Sequence, residues 1–448
     1  MGKRSISDAL DDSPRFVTRG RRLNLLWIKS GLLHPVDFGG RIRSFQILKQ
    51  LATRHRITYM GLDEFGSAAR DEAGAAAYAH ETIVMPHAKH PPFTPGFCLD
   101  LLRNIGSPLP YFVMVYRSKA TTRAIVEMTS ERRFDLIVCD FVAAAVNLPF
   151  PLSSPVLLFA HNVEATIWRR LADIQKDPIR RAYLMHQWRK TRKFERRMTP
   201  RFDQVVTVSH EESDIYRSEY GARHVETLPT GVDINAFARR AGDPVAAHHL
   251  VFTGAMDWLP NHDAMIHFIR HIFPRIRASL PDATLTIVGR GPFAELFRLA
   301  HGDSGIEVTG RVDDVRPHLA KAAAVVVPLR VGAGTRLKIF EAMAMEKPVV
   351  STTLGAEGLP VTAGVELLLA DSPRDFADAV IRVLTDPALA DSLTSRAVAR
   401  VRRDHGWSAV AERFEAICEV ARDRRAAGPG ISSARSESDP GSSSSDWT

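Results

Sequence analysis

Two glycines, Gly332 and Gly334, followed at once by Thr335, Arg336 and Lys338, stand between the apolar run 324–328 and an amphipathic pattern at 336–345. Glycine lets the backbone turn sharply, and a helix start offers unpaired N–H groups and the positive end of its dipole, so the spacing has the ingredients of a diphosphate cradle. Arg336 suits bidentate contact with phosphate oxygens, and Lys338 suits point-charge contact. At 1.5 Å per residue, Glu341 lies roughly 9 Å along the helix axis from Thr335, placed to accept hydrogen bonds from ribose hydroxyls. A glycine pair alone is more often a plain strand–loop–helix joint with surface charges. The constellation of glycines, cations and carboxylate is what favours an anion site.

A second group of polar residues, His161, Asn162 and Glu164, comes after the apolar run 156–160, so it stands at the carboxyl end of a strand. A lone histidine is more often structural than reactive; its strand-end position favours a site. Phe38-Gly39-Gly40-Arg41 opens a helix after the first strand, and its glycines permit close approach of backbone to a ligand, although a tight turn explains the loop equally well. The Gly-x-Gly-x-x-Gly spacing is missing there, so no nicotinamide or flavin cofactor is indicated. The three cysteines, Cys98, Cys139 and Cys418, are too scattered for a zinc site or a disulfide framework, and no metal site is expected.

Short β-branched runs alternating with amphipathic helices must position these groups, the pattern of parallel sheets covered on both faces. Strands are expected at 23–29, 56–62, 136–139, 156–160 and 204–208, then at 249–253, 284–288, 306–309, 324–328 and 348–351. Helices are expected at 41–55, 261–279 and 336–345. The chain of 448 residues exceeds the length at which one core keeps growing. The expected organisation is an N-terminal domain at 22–228, a linker at 229–247 with turn chemistry, a second domain at 248–405 and a final helix at 406–425. Disordered tails are expected at 1–21 and 426–448 from their composition. Ligands of open α/β sheets bind at strand carboxyl ends, which directs attention to the cleft between the sheets.

The segment Glu341-Ala342-Met343-Ala344, with Lys347-Pro348-Val349-Val350 and Gly355-Ala356-Glu357-Gly358, resembles the donor-site signature of family 4 retaining glycosyltransferases with the GT-B fold. Leu228 to Asp233 resembles the family's interdomain element, and Ile287 to Pro292, with Gly289 and Gly291, resembles its strand-end glycine loop. Gly310 to Asp314, with Val312, sits where the family contacts the nucleobase, largely through backbone. The resemblance runs from about residue 22 to about 420. It implies an α/β architecture of two Rossmann-like domains facing a cleft, a UDP- or GDP-linked sugar as donor substrate, no cofactor, and a saccharide or lipid-linked acceptor. It implies catalytic roles for His161, Arg336 and Lys338. Donor contacts are implied at Gly289, Gly291, Val312, Gly332, Gly334, Thr335 and Glu341, and an acceptor side formed by Gly39, Gly40, Arg41, Asn162 and Glu164.

Two departures from the family pattern stand out. Ala333 occupies the position of the family's first glutamate, eight before Glu341. The stretch from Gly254 to Asn261 lacks the family's usual Arg and Lys, a duty that Arg336 and Lys338 are expected to take over, as in a subgroup associated with exopolysaccharide clusters. Ala333 keeps a second reading open, a non-catalytic nucleotide-sugar or saccharide-binding protein on the same fold. A nucleotide-sugar epimerase is disfavoured by the signature around Glu341.

Between Trp168 and Arg197 the chain carries eleven Lys or Arg against three acids. A solvated helical face is the default explanation. With Trp168, Tyr183 and Trp188 interleaved, the segment 169–197 also suits an anionic membrane surface or a lipid-linked acceptor. No nucleic-acid reader motif accompanies the charge, so nucleic acid is not an expected partner. No segment approaches the roughly 18 apolar residues of a membrane span, and the expected location is cytoplasmic, with peripheral contact at the inner face of the membrane.

Overall fold

The computed structural model describes residues 21–36, 39–63, 74–91, 94–240, 242–332 and 336–427; most of both expected tails therefore lies outside the described residues. Seven parallel strands form the first sheet: β1 (Asn24–Lys29), β2 (Arg56–Asp63), β3 (Glu81–Pro86), β4 (Leu136–Asp140), β5 (Val156–Phe159), β6 (Gln204–Thr207) and β7 (Val225–Thr227), in the order β3-β2-β1-β4-β5-β6-β7. Six form the second: β8 (His249–Thr253), β9 (Thr284–Val288), β10 (Ile306–Gly310), β11 (Ala324–Val327), β12 (Val349–Ser351) and β13 (Leu368–Leu369), in the order β10-β9-β8-β11-β12-β13. Continuous apolar runs such as Ala324–Val327, buried at every residue, form such strands because helices cover both faces. The two sheets are Rossmann-like. Each reverses direction beside its first strand, between β1 and β4 and between β8 and β11, and opens a crevice there.

Six of the helices carry the cleft residues, their supports and the outer side of the first domain: α1 (Gly39–Leu51), α2 (Pro95–Ile105), α3 (Glu164–Ile174), α4 (Pro178–Met198), α5 (Leu337–Ala344) and α6 (Trp407–Ala426). Their starts have local causes. The Thr94 side chain accepts from the Phe97 amide at α2, and Asp177 accepts from the Arg180 amide at α4, each with a proline in the first turn. The α3 start is served by a distant group, Glu195 of α4, whose carboxylate accepts from the Glu164 and Ala165 amides at 2.8 and 3.1 Å.

The chain after the second sheet returns to the first. Trp407, Val410, Phe414 and Ile417 of α6 join one apolar core with Trp27, Leu48 and Phe159, and the Phe414 ring lies 5.6 Å from Trp27 and 5.1 Å from Phe159. The two interdomain crossings are tied to each other. The Val232 amide donates to the His405 carbonyl at 2.8 Å, and a Cβ on Gly231 would come within 2.7 Å of the Trp407 ring.

Candidate functional site

On the second sheet, β8 and β9 end in glycines whose backbones touch. A Cβ on Gly289 would lie 1.8 Å from the Gly254 carbonyl oxygen, so only glycine fits. Lys338 of α5 reaches this junction. Its Nζ donates to Asn261 Oδ1 at 3.0 Å, lies 3.9 Å from the centroid of the Phe252 ring, and would be 2.7 Å from a Cβ on Gly254. Burial, assisted by the neighbouring Arg336 charge, brings the Lys338 pKa down to about 7. Burial likewise brings Arg336 down to about 10 and lifts the Glu341 carboxyl to about 7. The stretch after β8, which has no cation of its own, thus receives one from α5. Arg336 stays charged and Lys338, near half protonated at pH 7, can take up a proton, so an anion at this one helix start gains from both in a desolvated setting.

On the first sheet, strand ends converge on Asp140. Its Oδ1 accepts from Lys29 Nζ and His161 Nε2, both at 2.7 Å, and its Oδ2 accepts from Trp27 Nε1 at 2.8 Å and Ser44 Oγ at 2.6 Å. Burial alone would raise this carboxyl, but Lys29 and His161 outweigh it and hold Asp140 below the ordinary carboxylate range. An ionised carboxylate only accepts, so His161 carries its proton on Nε2 and leaves Nδ1 as a lone pair, buried and with no hydrogen-bond partner among the described residues. Burial brings His161 down to about 4 despite Asp140, and the imidazole is neutral at physiological pH. Phe141 stacks on the ring at 5.5 Å from a backbone at φ +82°, a conformation a bulky residue adopts only when its surroundings impose it. Arg43 of α1 donates to the Ala160 and Leu228 carbonyls at 3.1 and 2.7 Å and ties the β5 end to the interdomain crossing.

A cleft lies between the two halves, lined by Val163, Thr166, Arg170, Glu212, Thr230 and Glu357, and encloses about 560 Å³ counted to its open mouth. Arg170 of α3 crosses it, pairing bidentately with Glu357 at 2.7 Å for both bonds and donating to the Gly332 carbonyl. Burial lifts Glu212 and Glu164 to about 7 each, and Glu195 to about 8 with the charge of Glu164 adding to it. Among the described residues, no three His, Cys, Asp or Glu side chains gather as a metal site.

The residues expected on the acceptor side fall at two helix starts, Gly39, Gly40 and Arg41 at that of α1 and Asn162 and Glu164 at that of α3. Gly39 and Gly40 form the first turn of α1, and a Cβ on Gly39 would meet Leu337 at 3.6 Å, so the starts of α1 and α5 face each other. Arg41 is buried and donates to the Pro35 carbonyl at 3.1 Å, and Asn162 donates to Glu164 at 3.0 Å. Of the expected donor contacts, Gly291, at φ +65°, packs on Asp257, and Val312 packs against the core of the second sheet. Phe38, Ala333, Gly334 and Thr335 lie outside the described residues. The structure adds Lys29, Asp140, Asn261 and Arg170 to the residues expected from sequence, and gives Glu357 of the signature stretch its partner in Arg170. Asp140 was legible as a carboxylate closing an apolar strand; Glu357 stands in the signature stretch Gly355–Gly358, but its pairing with Arg170, across 187 residues, carries no local signal.

Residues 44–236 match the family model described as Glycosyltransferase Family 4, and residues 247–386 match the one described as Glycosyl transferases group 1, together well over half of the chain. The chain belongs to glycosyltransferase family 4. Its architecture is GT-B. The D-inositol 3-phosphate glycosyltransferase of Kribbella flavida is 30% identical over 252 residues, 50% of this chain and 58% of that protein, so the match spans little more than half of the relative's length. A 44.6 kDa protein in the cps region of Klebsiella pneumoniae is 21% identical over 63% of this chain and 73% of its own length. The crystal structure of Anabaena HepE in complex with UDP and glucose superposes with a TM-score of 0.63 at 15% identity, covering 89% of this chain and 100% of that one; it shows the shared fold.

Proposed function

We propose that this family 4 chain is a retaining glycosyltransferase, moving a sugar from a UDP- or GDP-linked donor held by the second domain to a saccharide or lipid-linked acceptor held by the first. The observation that carries the reading is the meeting of Lys338, Asn261 and the Gly254–Gly289 backbone junction at the start of α5. As the bond between the anomeric carbon and the phosphate oxygen breaks, charge grows on the departing nucleoside diphosphate. Lys338, Arg336 and the α5 start are fixed where they stabilise it. The acceptor hydroxyl oxygen bonds the anomeric carbon, and its proton passes to the leaving phosphate. His161, neutral and with Nδ1 as an acceptor, orients a sugar hydroxyl. A role in exopolysaccharide or cell-envelope glycan synthesis is supported by the subgroup resemblance and the cps-region relative. A lipid-linked acceptor is supported by the exposed cations of 169–197, which suit contact with an anionic membrane surface.

Ala333 favours a second reading, a non-catalytic nucleotide-sugar or saccharide binder on the same fold. Thermal stabilisation by a panel of UDP, GDP, ADP and their sugar conjugates, with Lys338→Ala beside wild type, tests the donor site: a nucleotide-selective shift that weakens in the variant is expected, and no shift with any nucleotide removes the main support for a transferase and leaves a saccharide binder. Release of nucleoside diphosphate on adding acceptor then separates transferase from binder.

A further inference from the structure

Helix α2 carries an apolar face that the protein leaves in water. Leu99, Leu102 and Ile105 recur at helical spacing and are 45%, 65% and 54% exposed, with Arg103 exposed among them. The other side of the helix is fixed. Asn104 accepts from Gln187 at 2.8 Å and also from Lys190, the Ile105 carbonyl lies 3.2 Å from His186 Nε2, and the Phe97 ring packs at 5.7 Å on Tyr111, whose amide donates to Gln187 at 2.9 Å. The apolar face is therefore the outer side of a helix strapped to the middle of α4. At the α4 start, Ile179 is 80% exposed between Lys176 and Arg180–Arg181, all three cations exposed, with Arg189 and Lys193 further along. The nearby acids are engaged: Asp177 caps α4, Asp173 pairs with Arg169 at 3.1 Å, Asp100 pairs with His90 at 2.7 Å, and Glu195 is buried at the α3 start.

We propose that α2 and the outer side of α4 form a membrane-docking surface, with Leu99, Leu102, Ile105 and Ile179 entering the interface of an anionic phospholipid bilayer and the surrounding cations meeting its headgroups. The inference deepens the reading of a lipid-linked acceptor and rests on it. Isolated exposed leucines need no explanation, but four large aliphatic side chains on two joined helices, beside exposed cations that outnumber the acids among them, combine the two attractions that hold interfacial helices on anionic lipid. A second copy of the chain fits less well, because self-docking would press the same cations together. The location suits the reaction. α4 packs on α3, which begins just after His161 and carries Arg170 into the cleft, so a lipid-linked acceptor enters beside the first domain's side of the site.

Co-sedimentation with phosphatidylcholine vesicles, with and without phosphatidylglycerol, tests the assignment on the full chain. Three proteins are compared: wild type, Leu99→Gln/Leu102→Gln/Ile105→Gln, and Lys176→Gln/Arg180→Gln/Arg181→Gln. Wild type is expected on the anionic vesicles and released by high salt. The apolar triple variant should lose on the order of a hundredfold in partition, since each partly inserted side chain is worth roughly tenfold at most. The charge triple variant should lose a comparable factor, and both should keep the nucleotide-dependent thermal shift. Wild-type-like binding by the apolar variant overturns insertion while leaving charge-driven contact standing. A wild type that ignores anionic vesicles yet is stabilised by nucleotide removes the membrane surface and spares the transferase reading. A wild-type dimer that the apolar variant dissociates assigns the face to a second copy and overturns the proposal.

Discussion

Lys338 is held close to its neutral point, at about 7, in the place where a diphosphate is proposed to sit. An arriving diphosphate raises that pKa, so binding near and above pH 7 takes up a proton and affinity falls as pH rises through 7 and beyond. Calorimetry in buffers of different ionisation enthalpy should show the uptake, and Lys338→Arg, which stays charged, should remove it. His161 behaves oppositely. With its folded pKa near 4 against an ordinary value of 6.5, it stays neutral over the working range, and ¹⁵N NMR of the imidazole should show the proton on Nε2 down to about pH 5. Asp140 is its positioning residue. In Asp140→Asn an amide can donate to the ring, so the tautomer should shift toward Nδ1–H and kcat should fall on the order of a hundredfold with donor KM nearly kept. An unchanged imidazole spectrum would reduce the carboxylate to a packing role.

At the scale of elements, the strands that position the site were readable because each is a run of buried, mostly apolar residues ending at or just before a polar or glycine residue. The ends of β5 and β9 directed attention to His161 and Gly289. Strands β7 and β13, of three and two residues, are too short to carry a period, and they add only edges. Helix α2 was missed for a different reason: its apolar residues sit at helical spacing, but most face water, so no buried partner stood out in the sequence. The Gly254–Gly289 junction was half legible. Glycines mark the strand ends, yet only the fold shows that one backbone rests on the other. Gly289→Ala should therefore cost about 2 kcal/mol or more, because the obstruction is backbone rather than a yielding side chain, and it should abolish the nucleotide-dependent shift. Gly364→Ala is the control: it meets nothing within 4 Å, and its φ of +74° should cost only about 1–2 kcal/mol. Chemical denaturation with and without nucleotide compares the two.

For the whole molecule, the two domains are joined in ways that differ in strength. α6 is a permanent anchor: Phe414 is fully buried between Trp27 and Phe159, and Phe414→Ala should cost about 3–5 kcal/mol and lower the unfolding midpoint of the first domain. The Arg170–Glu357 pair is of another kind. Its side chains are 26% and 36% exposed, so by itself it contributes little to stability, on the order of 0–1 kcal/mol. Its consequence is geometric, because the same guanidinium holds the Gly332 carbonyl on the approach to Arg336 and Lys338. Arg170→Ala should leave the unfolding midpoint within about a degree or two of wild type. The radius of gyration from small-angle scattering should increase, and saturating nucleotide should restore part of the compaction. Glu357→Gln keeps Arg170 bound to Gly332, so it should open the molecule less and weaken donor binding less. Equal compactness of Arg170→Ala and wild type, both without ligand, would show instead that α6 and the packing of Leu337 in the first domain's core hold the two halves together unaided.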